Sequence, residues 1–128
     1  MPGKQTEPGL IIYRFGTDLF YANYARFIDD VQTLVDRAPT PIRCFVVDAS
    51  AITDLDFSAA SAIRDLLSDL TARNVTIVFG RVSPFLRADM DRHGITAAAG
   101  ADHIFTTLHE AVAAVHTVLD RQPPGPGA

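Results

Sequence analysis

The sequence predicts an α/β domain with a mixed, mostly parallel central sheet of about five strands and four to five helices. Residues 42–47 and 75–79 are short apolar runs, typical of strands buried on both faces of a parallel sheet. Between these runs, Ile63, Leu67 and Leu70 recur at helical spacing. Strands that alternate with helices imply parallel pairing through right-handed crossovers. With 128 residues, 48% of them hydrophobic, the chain can form one core.

The first predicted elements are a hairpin and a helix. Residues 10–15 are an apolar strand candidate, and residues 19–21 form a second short strand after a glycine-containing turn. Asn23 is a suitable N-cap for a helix that runs to about residue 37, because short polar side chains are preferred at that position. The following Pro39 ends this helix.

The second helix follows the strand at residues 42–47. Either Asp56 or Ser58 caps it, since both side chains can accept a hydrogen bond from the first turn. The helix extends to about Arg73, and Asn74 can close it in the left-handed conformation.

The last third of the chain predicts two further helices and a short strand. A serine and a proline at residues 83–84 mark the start of one helix, which ends at Gly94. Residues 104–105 are a short final strand candidate. The Thr-x-x-Glu pattern at residues 107–110 is a capping box, which opens a helix to about residue 120.

The two ends of the chain differ in composition from the folded part, which we place at residues 9–121. Residues 1–8 are polar and predict a flexible N-terminal tail, and residues 122–128 predict a disordered tail rich in proline and glycine. No window approaches the roughly 18–20 apolar residues that a membrane helix needs, and no secretory signal is visible. The net charge of −4 argues against a nucleic-acid partner.

The most polar segment, residues 48–58, follows the predicted strand at residues 42–47. It therefore lies where an α/β sheet usually binds ligands, beyond the carboxyl end of a strand. A helix N-terminus in this segment offers unpaired N–H groups that could hold an anion or a phosphoryl group. The alternative is that the same residues only cap the helix, because both functions need the same side chains. The candidate site residues of this loop are Asp48, Ser50, Thr53, Asp54, Asp56, Phe57, Ser58, Ala59 and Ser61.

Other chemistry is not indicated by the sequence. A phosphate-accepting receiver would need an acidic pair after the first strand and a late lysine, but the chain's one lysine is Lys4. The four histidines lack the spacing of a metal site, and Cys44 reads as a buried, inert thiol. No phosphate-binding loop or nucleophile elbow occurs. We therefore expect no metal, no resident cofactor and no enzyme activity, but a binding or regulatory module.

Two motifs resemble the STAS domain family, named for sulfate transporters and anti-sigma-factor antagonists. Residues 8–15 read PGLIIYRF and residues 19–23 read LFYAN, similar to the first hairpin of STAS domains in SulP-type anion transporters. Residues 46–60 resemble the central D-x-S loop of the family. The resemblance implies a STAS fold, like that of anti-sigma-factor antagonists, in a regulatory domain at the C-terminus of a sulfate or other anion transporter. Its partners would be the transporter's own transmembrane domain, at the cytoplasmic face of the membrane, and regulatory proteins.

The resemblance also raises two expectations about the loop. STAS domains are proposed to bind nucleotides near it, which implies weak binding of GTP, GDP or ATP at residues 48–61. Anti-sigma-factor antagonists, the alternative function, are phosphorylated on a Ser or Thr directly after the second aspartate. In this chain Phe57 occupies that position, Ser58 follows it and Ala59 replaces the usual glycine. Phosphorylation would therefore require Ser58 to act from a position shifted by one residue.

Overall fold

The computed structural model describes residues 3–15, 20–52 and 55–121. Its helices and strands alternate through most of the chain, as the apolar pattern predicts. In chain order they are β1 (Gly3–Glu7), β2 (Leu10–Arg14), α1 (Phe20–Arg37), β3 (Cys44–Asp48), α2 (Phe57–Ala72), β4 (Thr76–Gly80), α3 (Pro84–Arg92), α4 (Ile95–Ala99), a 3-10 turn (Ala101–His103) and α5 (Leu108–Arg121). No helix within the described ranges is both long enough and apolar enough to cross a membrane.

One mixed sheet forms the centre of the molecule, with the strand order β1-β2-β3-β4. β1 pairs antiparallel with β2, whereas β2, β3 and β4 run parallel to one another. The fold class is therefore confirmed, but the predicted fifth strand is shorter than expected. Near residues 104–105 the chain makes a single parallel bridge, between Ile104 and Phe79 on the outer edge of β4.

The sheet is covered unequally on its two faces. Cys44 and Val46 of β3 belong to the smaller core cluster, which α5 covers through Ala111 and Val115. The larger cluster, on the opposite face, is formed with the helices α1, α2, α3 and α4. Because side chains alternate along a strand, every residue of β3 is buried between these two layers, as its apolar run predicts.

The predicted first hairpin is wrong, and a different hairpin takes its place. Residues 3–7, assigned above to a flexible tail, form β1, and β1 pairs with β2 through a turn at Gly9, whose φ is +87°. The predicted strand at residues 19–21 is not formed: α1 already begins at Phe20, while residues 16–19 lie outside the described residues. A short apolar run next to a helical pattern is ambiguous, and here the helix extended backwards. Asn23, the predicted N-cap, instead interrupts α1 with a φ of −129°.

The remaining helix boundaries agree closely with the predicted capping residues. Asp56, not Ser58, caps α2: its carboxylate accepts a hydrogen bond from the Ala59 N–H at 2.8 Å. Asn74 closes α2 in the left-handed conformation, with a φ of +62°. Ser83 caps α3, and its hydroxyl accepts from the Leu86 N–H at 3.1 Å.

Candidate functional site

Asp48, the last residue of β3, is the centre of the candidate site. Its side chain is buried at the carboxyl end of the parallel strands, and the whole residue is only 4% exposed. One carboxylate oxygen, Oδ1, accepts a hydrogen bond from the Ser50 N–H at 3.0 Å. The other, Oδ2, lies 3.3 Å from Nη1 of Arg81. Asp48 therefore organises the loop that follows β3 and joins it to the chain that follows β4.

Opposing effects determine the charge of the Asp48 carboxyl. Burial alone favours the neutral form and acts to raise its pKa. Hydrogen bonds from Ser50 and from Arg81, with the positive charge of Arg81, act in the opposite direction and together outweigh burial. The pKa of Asp48 therefore lies below its ordinary value, and the carboxylate is ionised at neutral pH.

Arg81 is the site residue that the sequence analysis missed. It follows directly after β4, and the register of the sheet places Asp48 opposite the last residue of β4, Gly80. Arg81 has a φ of +57°, a left-handed conformation that is rare for residues other than glycine and asparagine. A second contact ties the same two chain segments together, since the Ala49 N–H donates to the Gly80 carbonyl at 2.9 Å. The one signal in the sequence was a basic residue two positions after the predicted strand at residues 75–79.

The first five residues of α2 include four of the predicted site residues. Phe57 and Ser58 are exposed, Ala59 is buried, and Ser61 is partly buried. The N–H of Ala59 is already bonded to the carboxylate of Asp56, which itself carries a negative charge at the helix N-terminus. The first turn of α2 is therefore less suited to an anion than the sequence suggests, because its cap is already an anion.

The other predicted residues are less closely connected to this centre. Ser50 is exposed on the loop and binds Asp48. Thr53 and Asp54 lie outside the described residues. Across the described ranges, no three His, Cys, Asp or Glu side chains gather in a way that could hold a metal ion.

Two large apolar side chains project from the same end of the molecule. Phe57 is 70% exposed in the first turn of α2, and Phe85 is 84% exposed in the first turn of α3. Because α2 follows β3 and α3 follows β4, both helices begin at the carboxyl edge of the parallel strands. We call Phe57, Phe85 and Arg81 the phenylalanine edge. Exposed apolar side chains of this kind are typical of surfaces that contact another protein.

Comparison with known proteins identifies the family of the chain. The family model described as "STAS domain" matches residues 1–111. A probable sulfate transporter of Mycobacterium tuberculosis is 33% identical over 113 residues, which cover 88% of this chain and 20% of the relative. Sulfate transporter 1.3 of Arabidopsis thaliana is 26% identical over 119 residues, covering 87% of this chain and 18% of the relative. The chain thus spans about a fifth of the length of the curated relatives it matches.

Solved structures share the fold. The crystal structure of a sulfate transporter family protein from Wolinella succinogenes has a TM-score of 0.76 at 18% identity, covering 91% of this chain and 93% of that one. The murine Solute Carrier 26 family member A9 anion transporter, in its inward-facing state, has a TM-score of 0.74 at 20% identity, covering 88% of this chain and 18% of the transporter. At these identities the likeness concerns the fold alone. The matched family model and the mycobacterial relative, together with this fold, show that the chain belongs to the STAS domain family.

Proposed function

We propose that this chain acts as the C-terminal regulatory domain of a SulP-type anion transporter, with sulfate as the transported anion. The observation that carries the proposal is the alignment with the mycobacterial sulfate transporter, which includes most of this chain but only a fifth of the relative. In such a protein the domain would lie at the cytoplasmic face of the membrane, next to the transmembrane domain. The anion would be selected by the transmembrane domain, and this domain would regulate or support transport.

The phenylalanine edge is the surface that we assign to the contact with the transmembrane domain. Phe57 and Phe85 expose apolar area to water that a protein partner would bury, and burial of apolar area is favourable by roughly 25 cal/mol per Å². Arg81 is half exposed while it contacts Asp48, so it can also present hydrogen-bond donors to a partner. Interface cores are enriched in aromatic residues and arginine, which agrees with this composition.

A domain exchange tests the proposal. The corresponding domain of the mycobacterial relative would be replaced by this chain, and sulfate uptake measured in cells that lack their own sulfate transporter. We expect the hybrid to retain uptake that is lost when the domain is deleted. A hybrid that reaches the membrane in normal amounts, yet transports no better than the deletion, would contradict the proposal.

Substitutions in the hybrid then test the surface. Phe57→Ser and Phe85→Ser remove exposed apolar area without disturbing the core, so the domain should fold while uptake falls. Ala113→Ser, at an exposed position on α5, is the matched control and should leave uptake unchanged. Equal uptake by the phenylalanine variants and the control would exclude this edge as the contact, while leaving the transporter assignment standing.

Two expectations from the family resemblance remain predictions. Weak binding of GTP, GDP or ATP at residues 48–61 would have to use a helix N-terminus that Asp56 already caps. The alternative function, a partner-switching antagonist, needs phosphorylation of Ser58, whose exposed position in the first turn of α2 leaves it accessible to a kinase. Detection of phosphorylated Ser58 together with loss of binding to a protein partner would favour that alternative.

A further inference from the structure

A cavity of about 370 Å³ lies at the opposite end of β4 from the phenylalanine edge. Its volume falls within the range of small-ligand sites. Thr76 and Ile77, the first two residues of β4, line it together with Val75, and Ala98, Ala99 and His103 also belong to the lining. His103 directly precedes Ile104, whose bridge to Phe79 lies on the outer edge of β4. The cavity therefore opens onto the outer edge of β4.

The backbone of that edge is unpaired beside the cavity. Thr76 donates its N–H to the Arg43 carbonyl, on the β3 side, whereas the Phe79 carbonyl accepts from the Phe105 N–H on the outer side. Backbone groups alternate in direction along a strand, so the N–H and C=O of Ile77 point outward like those of Phe79. In the described part of the chain no backbone hydrogen bond reaches Ile77 from that side. The edge stays open because the chain before Ile104 forms a 3-10 turn instead of extending the bridge into a strand.

The lining of the cavity contains no Asp, Glu, Lys or Arg side chain. Nδ1 of His103 lies 2.7 Å from the Ala99 carbonyl oxygen. A carbonyl can only accept, so Nδ1 carries a proton, and Nε2 is the ring nitrogen left to contact a ligand. The polar lining is completed by the hydroxyl and amide side chains of Thr71, Asn74 and Thr76. A charged ligand would find no carboxylate, ammonium or guanidinium group among these residues, whereas an uncharged amide would find both donors and acceptors.

We propose that this cavity is a docking site for an extended, uncharged peptide segment of a partner protein, which adds to the edge of β4 beside Ile77. Strand addition of this kind derives its affinity from main-chain hydrogen bonds and its specificity from pockets that take alternate side chains. Here the unpaired backbone of Ile77 supplies the main-chain hydrogen bonds, and the adjacent cavity supplies a pocket for side chains. Because the lining holds no Asp, Glu, Lys or Arg side chain, it favours segments with small or apolar side chains over acidic or basic ones. The proposal does not depend on the transporter function, because it concerns the opposite end of the sheet.

The test measures amide hydrogen exchange of the whole 128-residue chain by NMR. The probe is a library of capped pentapeptides built from alanine, valine and threonine. An amide hydrogen-bonded to the peptide exchanges only while the peptide is dissociated. Its exchange rate therefore falls by the factor 1 + [L]/Kd, which is about tenfold when the free peptide concentration is about nine times Kd. We expect this slowing at the Ile77 amide. The same library with its internal amides N-methylated should have no effect, because it has no N–H to donate.

Two arginine variants on α4 provide the matched comparison. Ala98 lines the cavity and is exposed, so Ala98→Arg places a charge and a bulky side chain there without disturbing the core. Ala97 is its exposed neighbour and is not part of the lining, so Ala97→Arg is the control. The peptide effect should be lost in Ala98→Arg and retained in Ala97→Arg.

Unchanged Ile77 exchange at millimolar peptide, or equal slowing by the N-methylated library, would overturn the proposal. Slowing that appears on raising the protein concentration alone, with a doubled mass, would assign the edge to a second copy of the chain instead.

Discussion

The substitution Asp48→Asn tests how far a single ionised carboxylate organises the site. The two side chains have nearly the same shape, so the change removes the charge and leaves the packing in place. The asparagine oxygen can still accept the hydrogen bond from the Ser50 N–H, which Oδ1 accepts at 3.0 Å. Its NH₂ group, however, would then face the guanidinium of Arg81, which is also a donor. The substitution therefore replaces a charged hydrogen bond with an unfavourable contact between two donors.

The expected loss in the free energy of unfolding follows from how deeply Asp48 and Arg81 are buried. A hydrogen bond to a charged group contributes about 1.5–3 kcal/mol to stability. Arg81 is half exposed, so water can solvate its freed guanidinium, and the neutral amide of the variant is cheaper to bury than a carboxylate. We therefore expect the free energy of unfolding to fall by about 1–2 kcal/mol at pH 7.

The same contact predicts a pH dependence with a definite sign. The pKa of Asp48 is lowered in the folded protein, so the carboxylate stabilises the fold above the unfolded-state pKa of about 3.9. This contribution is lost as the pH falls through the lower, folded-state pKa. The difference in stability between the wild type and Asp48→Asn should therefore be largest near neutral pH and shrink below about pH 4.

Urea unfolding of both proteins, from pH 7 down to the lowest pH at which both are folded, measures this difference. Asp56→Asn is the matched control: it removes a charge from the same loop, but asparagine is as good an N-cap as aspartate, so its cost should be small. If Asp48→Asn were as stable as the wild type at pH 7, the assigned role of the carboxylate would be wrong. A difference that stayed constant as the pH fell would show that packing, not charge, is responsible.

Three other predictions concern the backbone and the loop. Gly80→Ala should destabilise the domain by about 1–3 kcal/mol in urea unfolding, because its Cβ would lie 3.1 Å from the Ala111 side chain and 3.2 Å from the Leu108 backbone. Asn74→Ala should cost about 1–2 kcal/mol in the same assay, since alanine is strained at a φ of +62°, whereas Asn74→Gly should be tolerated. Titration with millimolar GTP should shift amide NMR signals at residues 48–61 and leave distant ones unchanged; no shift at all would refute nucleotide binding there.

The elements that depend on side-chain burial were predictable from the sequence. β3 and β4 appear as apolar runs because both of their faces are buried, and Asp56 and Ser83 were recognisable as caps because their side chains bond within their own helix. The loop after Asp48 could likewise be placed at the carboxyl edge from the strand-helix alternation alone. In each of these cases the physical cause lies within a few residues of its effect.

The features that the sequence did not predict depend on contacts between distant segments. β1 is held to β2 by backbone pairing, which leaves no apolar pattern to detect. The contact between Asp48 and Arg81 joins residues 33 positions apart, and it requires the register that places Asp48 opposite Gly80. Phe85 follows a correctly predicted helix start, but its exposure depends on which face of α3 packs on the core.

The unequal covering of the sheet has a practical consequence for following its opening in solution. The thiol of Cys44 is fully buried on the face that α5 covers, and burial raises its pKa above the ordinary value. A thiol reagent can therefore modify Cys44 only while α5 is displaced or the whole domain is unfolded. Reaction faster than global unfolding allows would reveal α5 as a separately opening unit. The one cysteine of the chain is thus a built-in reporter of the attachment of a single helix.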